Sequence, residues 1–123
     1  MVKWLNVKQK TGIATLYSNN ITLNTTAMYP FEEAYKVQVG VNDDGNIVIQ
    51  PLSKAVVESG DLDESCLLKI ERQSSFARIS SVALMKQIGE IIGKNLNKKP
   101  LRFETSWDSK ENILTINVNS ESL

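Results

Sequence analysis

The chain repeats itself in pattern. Residues 20–50 and residues 78–118 each run short strand, helix, strand, polar turn, strand. Aligned, Asn20-Ile21-Thr22 matches Arg78-Ile79-Ser80, and the helix expected over 26–35 matches that expected over 82–93. The turn Asp43-Asp44-Gly45-Asn46 matches Asp108-Ser109-Lys110-Glu111-Asn112. A unit this small cannot close a core by itself, so two of them bury their strands against each other. The expected fold is mainly β with two helices: one pseudo-twofold β-barrel, whose closure removes exposed strand edges. With 123 residues, 41% of them hydrophobic, the chain has material for one such core. Residues 1–123 are therefore read as a single domain, with unit one at 12–52, a connector at 53–74 and unit two at 75–118.

Local signals fill in the pattern. Trp4-Leu5-Asn6-Val7 is short and β-prone, and Ile13-Ala14-Thr15-Leu16-Tyr17 reads as a strand. Ser18-Asn19-Asn20 is a turn cluster, after which Ile21-Thr22-Leu23 resumes by alternation. Asn24, Thr25 and Thr26 are candidate N-caps for the first helix, which places Pro30 in its first turn. Lys36 to Val41 and Ile47 to Ile49 form a hairpin around Asp44-Gly45, and Pro51 ends it. Residues 53–65 read as a loop or short helix, Cys66 to Arg72 as a strand, and Phe76 to Ile79 as another. Val82, Met85, Ile88, Gly89 and Ile92 have the spacing of an amphipathic helix, capped by Ser80 or Ser81 and ended by Gly93. Leu101 to Trp107 and Ile113 to Val118 are the final strands.

Composition removes whole classes of chemistry. The chain has no histidine, so a histidine general base and a histidine zinc ligand are both excluded. Its one cysteine, Cys66, cannot form an intramolecular disulfide, and its apolar neighbours Leu67 and Leu68 suggest a small buried hydrophobe. Asp61, Asp63 and Glu64 are the densest carboxylate cluster, and the plainer reading is a solvated acidic loop. There is no glycine-rich phosphate loop: Gly89 and Gly93 are helical packing and capping positions. The expectation is a protein that is not an enzyme and uses no cofactor or metal. The first ten residues lack the apolar stretch of a signal peptide, and no run is long enough to span a membrane, so a cytoplasmic location is expected.

Charge is zoned although it sums to zero, with 14 basic and 14 acidic side chains. Residues 1–57 carry net +1, 58–71 net −4, 72–102 net +6 and 103–123 net −3. All three arginines lie in the basic zone, which contains Arg72, Arg78, Lys86, Lys94, Lys98, Lys99 and Arg102. Local charge sets the field that a phosphate backbone meets. These seven residues are the candidate nucleic-acid contacts: arginine can chelate guanine, and lysine can neutralise phosphate. The competing reading has Arg78 pairing with Glu104 or Glu71 across the sheet. Trp4, Phe103 and Trp107 are candidate stacking residues, for which core packing is the plainer role; in a strand Phe103 and Trp107 face the same way.

Ile21 to Asn24, a helix, Val37-Gln38-Val39 and Asp43 to Pro51 resemble the AbrB-like swapped-hairpin unit. So do Arg78-Ile79-Ser80, a helix, Leu101 to Trp107, a turn and Ile113 to Val118. Two units in one chain resemble the tandem arrangement of the MraZ proteins. The resemblance implies an intertwined (double-split) β-barrel, dimeric or pseudo-dimeric, and a DNA-binding transcriptional regulator with no enzymatic chemistry. The family's Gly-Arg pair falls on Asn19 and Asn20 in unit one and on Ala77 and Arg78 in unit two. Its proline falls on Asn24 and Val82, and its helical basic residue on Met28 and Lys86. Only unit two keeps the basic residues. Double-stranded DNA, a second copy of the chain and a protein partner are the partners to be considered. In the alternative function, a non-catalytic interaction or scaffold module has kept the barrel and lost nucleic-acid contact.

Overall fold

The computed structural model describes residues 1–5 and 11–119. Eight strands form one antiparallel sheet curled into a half-barrel. They are β1 (Ile13–Leu16), β2 (Asn20–Asn24), β3 (Lys36–Val41), β4 (Ile47–Leu52), β5 (Glu71–Arg72), β6 (Phe76–Ser80), β7 (Leu101–Asp108) and β8 (Ile113–Ile116). Three helices are interspersed: α1 (Thr25–Met28), α2 (Lys54–Glu58) and α3 (Val82–Ile92). The strand order is β3-β4-β8-β7-β1-β2-β6-β5.

Alternation builds the core. In β1, β2, β6 and β8, and in the first halves of β4 and β7, every second residue is apolar and turns inward. Leu16, Ile21, Leu23, Ile49, Ile79, Phe103 and Ile116 are fully buried there. Burial of such a side chain contributes about 1.5–3 kcal/mol. Slipping one strand by one residue would turn its apolar set to water, so burial fixes the register. The opposite residues, among them Thr15, Thr22, Arg78 and Arg102, face outward.

The two ends of the strand order are tied together. Val37 of β3 and Leu68 exchange both backbone hydrogen bonds, at 2.9 and 2.8 Å. Three residues later the same segment becomes β5, which pairs with β6. Val37 is fully buried and Leu68 packs on the core, so their neighbours Lys36 and Lys69 face outward. The stretch expected to be a strand over 66–72 is therefore a turn, a single bridge and a two-residue strand. Asp63 causes the difference: it caps a 3-10 turn at Glu64–Cys66 and bends the chain there. That bend leaves Cys66 exposed, contrary to its expected burial.

The first helix is shorter than expected. Asn24 caps α1, but regular helix ends at Met28 and a 3-10 turn, Tyr29–Phe31, follows. Pro30 has no N–H to continue the ladder, and the tighter turn carries Phe31 into the core. The second helix matches its signals. Ser81 Oγ accepts from the amide of Leu84 at 3.1 Å. Gly93 ends the helix with a left-handed φ of 68°. Val82, however, is 61% exposed: the packed stripe starts at Met85. Trp4 and Leu5 are exposed and form no strand, and the rest of that β-prone stretch lies outside the described residues. Phe103 is core, while Trp107, on the same face, meets Phe31 edge-on with ring centroids 6.1 Å apart.

Asn24 joins three segments. Its side-chain oxygen accepts from the amides of Ala27 (2.9 Å) and Ile13 (3.0 Å), and its amide donates to Thr11 O at 3.1 Å. Asn24→Ala is expected to lower unfolding free energy by about 2 kcal/mol, because a helix cap is lost and a strand amide is left unpaired. Asn24→Asp, which keeps the acceptor, should lose less. Chemical denaturation of the two variants checks the order.

Candidate nucleic-acid interface

The seven basic residues of 72–102 do not form one patch. Arg72, in β5, is engaged in holding the fold. Its Nη1 donates to Phe31 O at 3.1 Å and Ala34 O at 2.9 Å, satisfying carbonyls at the end of the 3-10 turn. Phe31 O also accepts from the Ala34 amide at 3.1 Å, and carbonyls at a helix end commonly lack an intrahelical partner. Arg72 is thus spent on the fold, and the sequence carries no signal of that contact.

Arg78 and Arg102 share one outward row of the sheet. Register places Arg102 opposite Thr15, Thr15 opposite Thr22, and Thr22 opposite Arg78. Three strand spacings separate the arginines, roughly 14 Å. Glu71 extends the row beyond Arg78, being its register partner in β5. Among the described residues neither arginine is ion-paired, although Glu71 stands next to Arg78. The guanidinium of Arg78 lies 5.0 Å from the centroid of the Phe76 ring, a cation–π contact. Its Nε is buried without a hydrogen-bond partner. An aromatic face thus lies against the guanidinium of Arg78, and no carboxylate among the described residues pairs with it.

From Arg102 across Thr15 and Thr22 to Phe76 runs a groove of about 500 Å³, also lined by Tyr17. None of these except Arg102 carries charge. A smaller hollow of about 390 Å³ joins Arg78 to Asn19, Asn20, Ser80 and the start of α3. Thr15, Thr22 and Phe76 had no separate signal in the sequence beyond their alternation: they are outward members of β1, β2 and β6.

The lysines gather at the other end of α3. Lys94, Lys98 and Lys99 surround a hollow of about 290 Å³ in front of β7. Lys86 and Lys94 line a neighbouring one, about 340 Å³, which also contains Glu90 and Ser18. Lys99 is followed by Pro100, which borders the groove of Arg102. The lysine group and Arg102 therefore adjoin. The Ser18-Asn19 turn stands between the hollows of Lys86 and Arg78.

The acidic loop has its own internal order. Asp63 Oδ1 accepts from the hydroxyl of Ser65 at 2.7 Å and from its amide at 3.0 Å. These bonds hold the Asp63 carboxyl below the usual carboxylate range, the hydroxyl first and the amide second. Among the described residues no three acidic or sulfur side chains converge as metal ligands. No described helix is long and apolar enough to cross a membrane. No family model, curated protein or solved structure matches this chain.

Two measurements follow from these assignments. Arg72→Gln is expected to cost about 1–3 kcal/mol of stability, since two carbonyls lose a charged donor, and to leave any polyanion affinity of the folded protein unchanged. Ser65→Ala should move the Asp63 titration midpoint upward in an NMR pH series. A depressed folded-state value contributes stability above the unfolded-chain value and loses it as pH falls through the folded one. The variant should therefore flatten stability against pH in that acidic window.

Proposed function

We propose that the chain is a DNA-binding regulator of the AbrB-like kind, with two swapped-hairpin units forming one pseudo-twofold barrel. The pairing scheme supports the symmetry. Exchange β1 with β5, β2 with β6, β3 with β7 and β4 with β8. The β1–β2 and β3–β4 hairpins become β5–β6 and β7–β8, all of them paired. The β2–β6 and β4–β8 pairs map onto themselves, centred on Ile21 opposite Ile79 and on Val48 opposite Thr115. The β1–β7 pair becomes the contact between β3 and the segment entering β5. Ala14 opposite Phe103 corresponds to Leu68 opposite Val37. The helices depart from the symmetry, since α1 has 4 residues and α3 has 11.

The observation that carries the DNA reading is the outward row Arg102–Thr15–Thr22–Arg78. It sets two arginines without ion-pair partners either side of an uncharged floor, with Lys94, Lys98 and Lys99 beside Arg102. Phosphates on the arginines and lysines would anchor a duplex, and a guanidinium reaching a guanine edge would add sequence preference. Glu71 and Glu90 at the margins would limit the affinity.

Fluorescence anisotropy of a labelled mixed-sequence duplex, titrated with salt, tests this. Log affinity should fall linearly with log salt. Arg78→Gln and Arg102→Gln should each flatten that slope by about one, the loss of one phosphate contact. A duplex that stays unbound at ~50 mM salt, or a slope indifferent to both replacements, would overturn the proposal.

A second reading, a protein-interaction module, draws on the free end of β3. Beyond the bridge at Val37 its outer edge has no strand partner among the described residues, and Val41 there is 48% exposed. An extended peptide could add to such an edge. Stoichiometric capture of one protein partner, with no duplex binding, would favour it.

A further inference from the structure

We infer that the duplex-binding face has a second cationic flank, formed by Lys36 and Lys69, on the far side of the β2–β6 centre from Arg102. The inference rests on the pseudo-twofold reading above and extends its contact set to two residues outside the basic zone. Lys36 belongs to the nearly neutral first stretch of the chain and Lys69 to the net −4 stretch, so charge blocks along the sequence conceal both.

Register makes the assignment. Phe103 opposite Ala14 corresponds to Val37 opposite Leu68. Arg102 precedes Phe103 as Lys36 precedes Val37, and Thr15 follows Ala14 as Lys69 follows Leu68. The register pair Arg102–Thr15 on one flank therefore has Lys36–Lys69 as its counterpart on the other. With Val37 and Leu68 turned to the core, both lysines stand on the outer wall. Lys69 is exposed; Lys36 is half-buried, its Nζ 5.9 Å from the Tyr35 ring centroid. Neither is ion-paired among the described residues. Arg78 then lies between two positive flanks rather than at the end of one. Such a face matches a duplex whose phosphates run along both sides of the contacted groove. Glu71 lies two residues beyond Lys69 on the same side of its segment and next to Arg78, and is a carboxylate that opposes the flank.

The test is the same salt-titrated anisotropy with the mixed-sequence duplex, on full-length variants whose folding is verified by circular dichroism. Lys36→Gln with Lys69→Gln should flatten the salt slope by about two, and Lys69→Gln alone by about one. The exposed Lys69 can be replaced without disturbing the core, so the single variant decides even if the double one folds poorly. Glu71→Gln should tighten binding about two- to fivefold, the range of one exposed charge interaction. Lys54→Gln, whose native partner is Glu58 at 3.8 Å within α2, should leave the slope unchanged. If Arg78→Gln and Arg102→Gln flatten the slope while Lys69→Gln does not, the second flank is wrong and the DNA reading stands. If the wild-type chain binds no duplex, both fall together.

Discussion

Two hydrogen bonds between Val37 and Leu68 tie the two ends of the strand order together. Without them β3 and β5 would be opposite free edges of a twisted eight-stranded sheet. With them, a segment whose neighbouring sequence is acidic and loop-like becomes the seam between the two ends of the curled sheet. The seam has little hydrogen bonding of its own, so side chains reinforce it. Leu68 and Ile70 pack on the core, and Arg72 fastens the seam to the carbonyls of Phe31 and Ala34. An arginine in the most basic stretch of the chain thus serves closure, while two lysines from poorer stretches flank the seam on the outside.

This division of labour explains why charge counted along a chain is a weak guide to charge on a surface. A sheet gathers residues by register, and register here joins residues scores of positions apart. Arg102 and Arg78 meet Thr15 and Thr22 because β1 and β2 insert between β7 and β6. On one side each arginine meets an uncharged threonine, Glu71 adjoins Arg78 on the other, and an aromatic ring rather than a carboxylate lies against the Arg78 guanidinium.

Much of the fold was legible where a local rule acts alone. The Asp44-Gly45 hairpin, the Ser81 and Gly93 ends of α3 and the alternation of β7 and β8 all follow from a few adjacent residues. Illegible features depended on distant partners. The short α1 reflects Pro30 together with the burial of Phe31. Cys66 looked buried because Leu67 and Leu68 are apolar, yet Asp63 turns the chain so that Leu68 alone faces the core. Val82 fits the helical stripe but stands at the first position of α3, where it is 61% exposed. In the candidate site, the charge of 72–102 was visible, whereas the removal of Arg72 and the uncharged floor of the groove required register.

The interleaving of the halves also has a consequence for synthesis. β2 waits for β6, while β1 and β4 wait for β7 and β8 in the last quarter of the polypeptide, so three of the first four strands lack a neighbour long after they have left the ribosome. Contacts this distant in sequence are slow to form. Until they do, the nascent first half displays several β-edges at once, a state prone to stray pairing. A cell making this protein has to tolerate that interval, and severing the chain in the connector would yield two fragments each deprived of the strands that complete it.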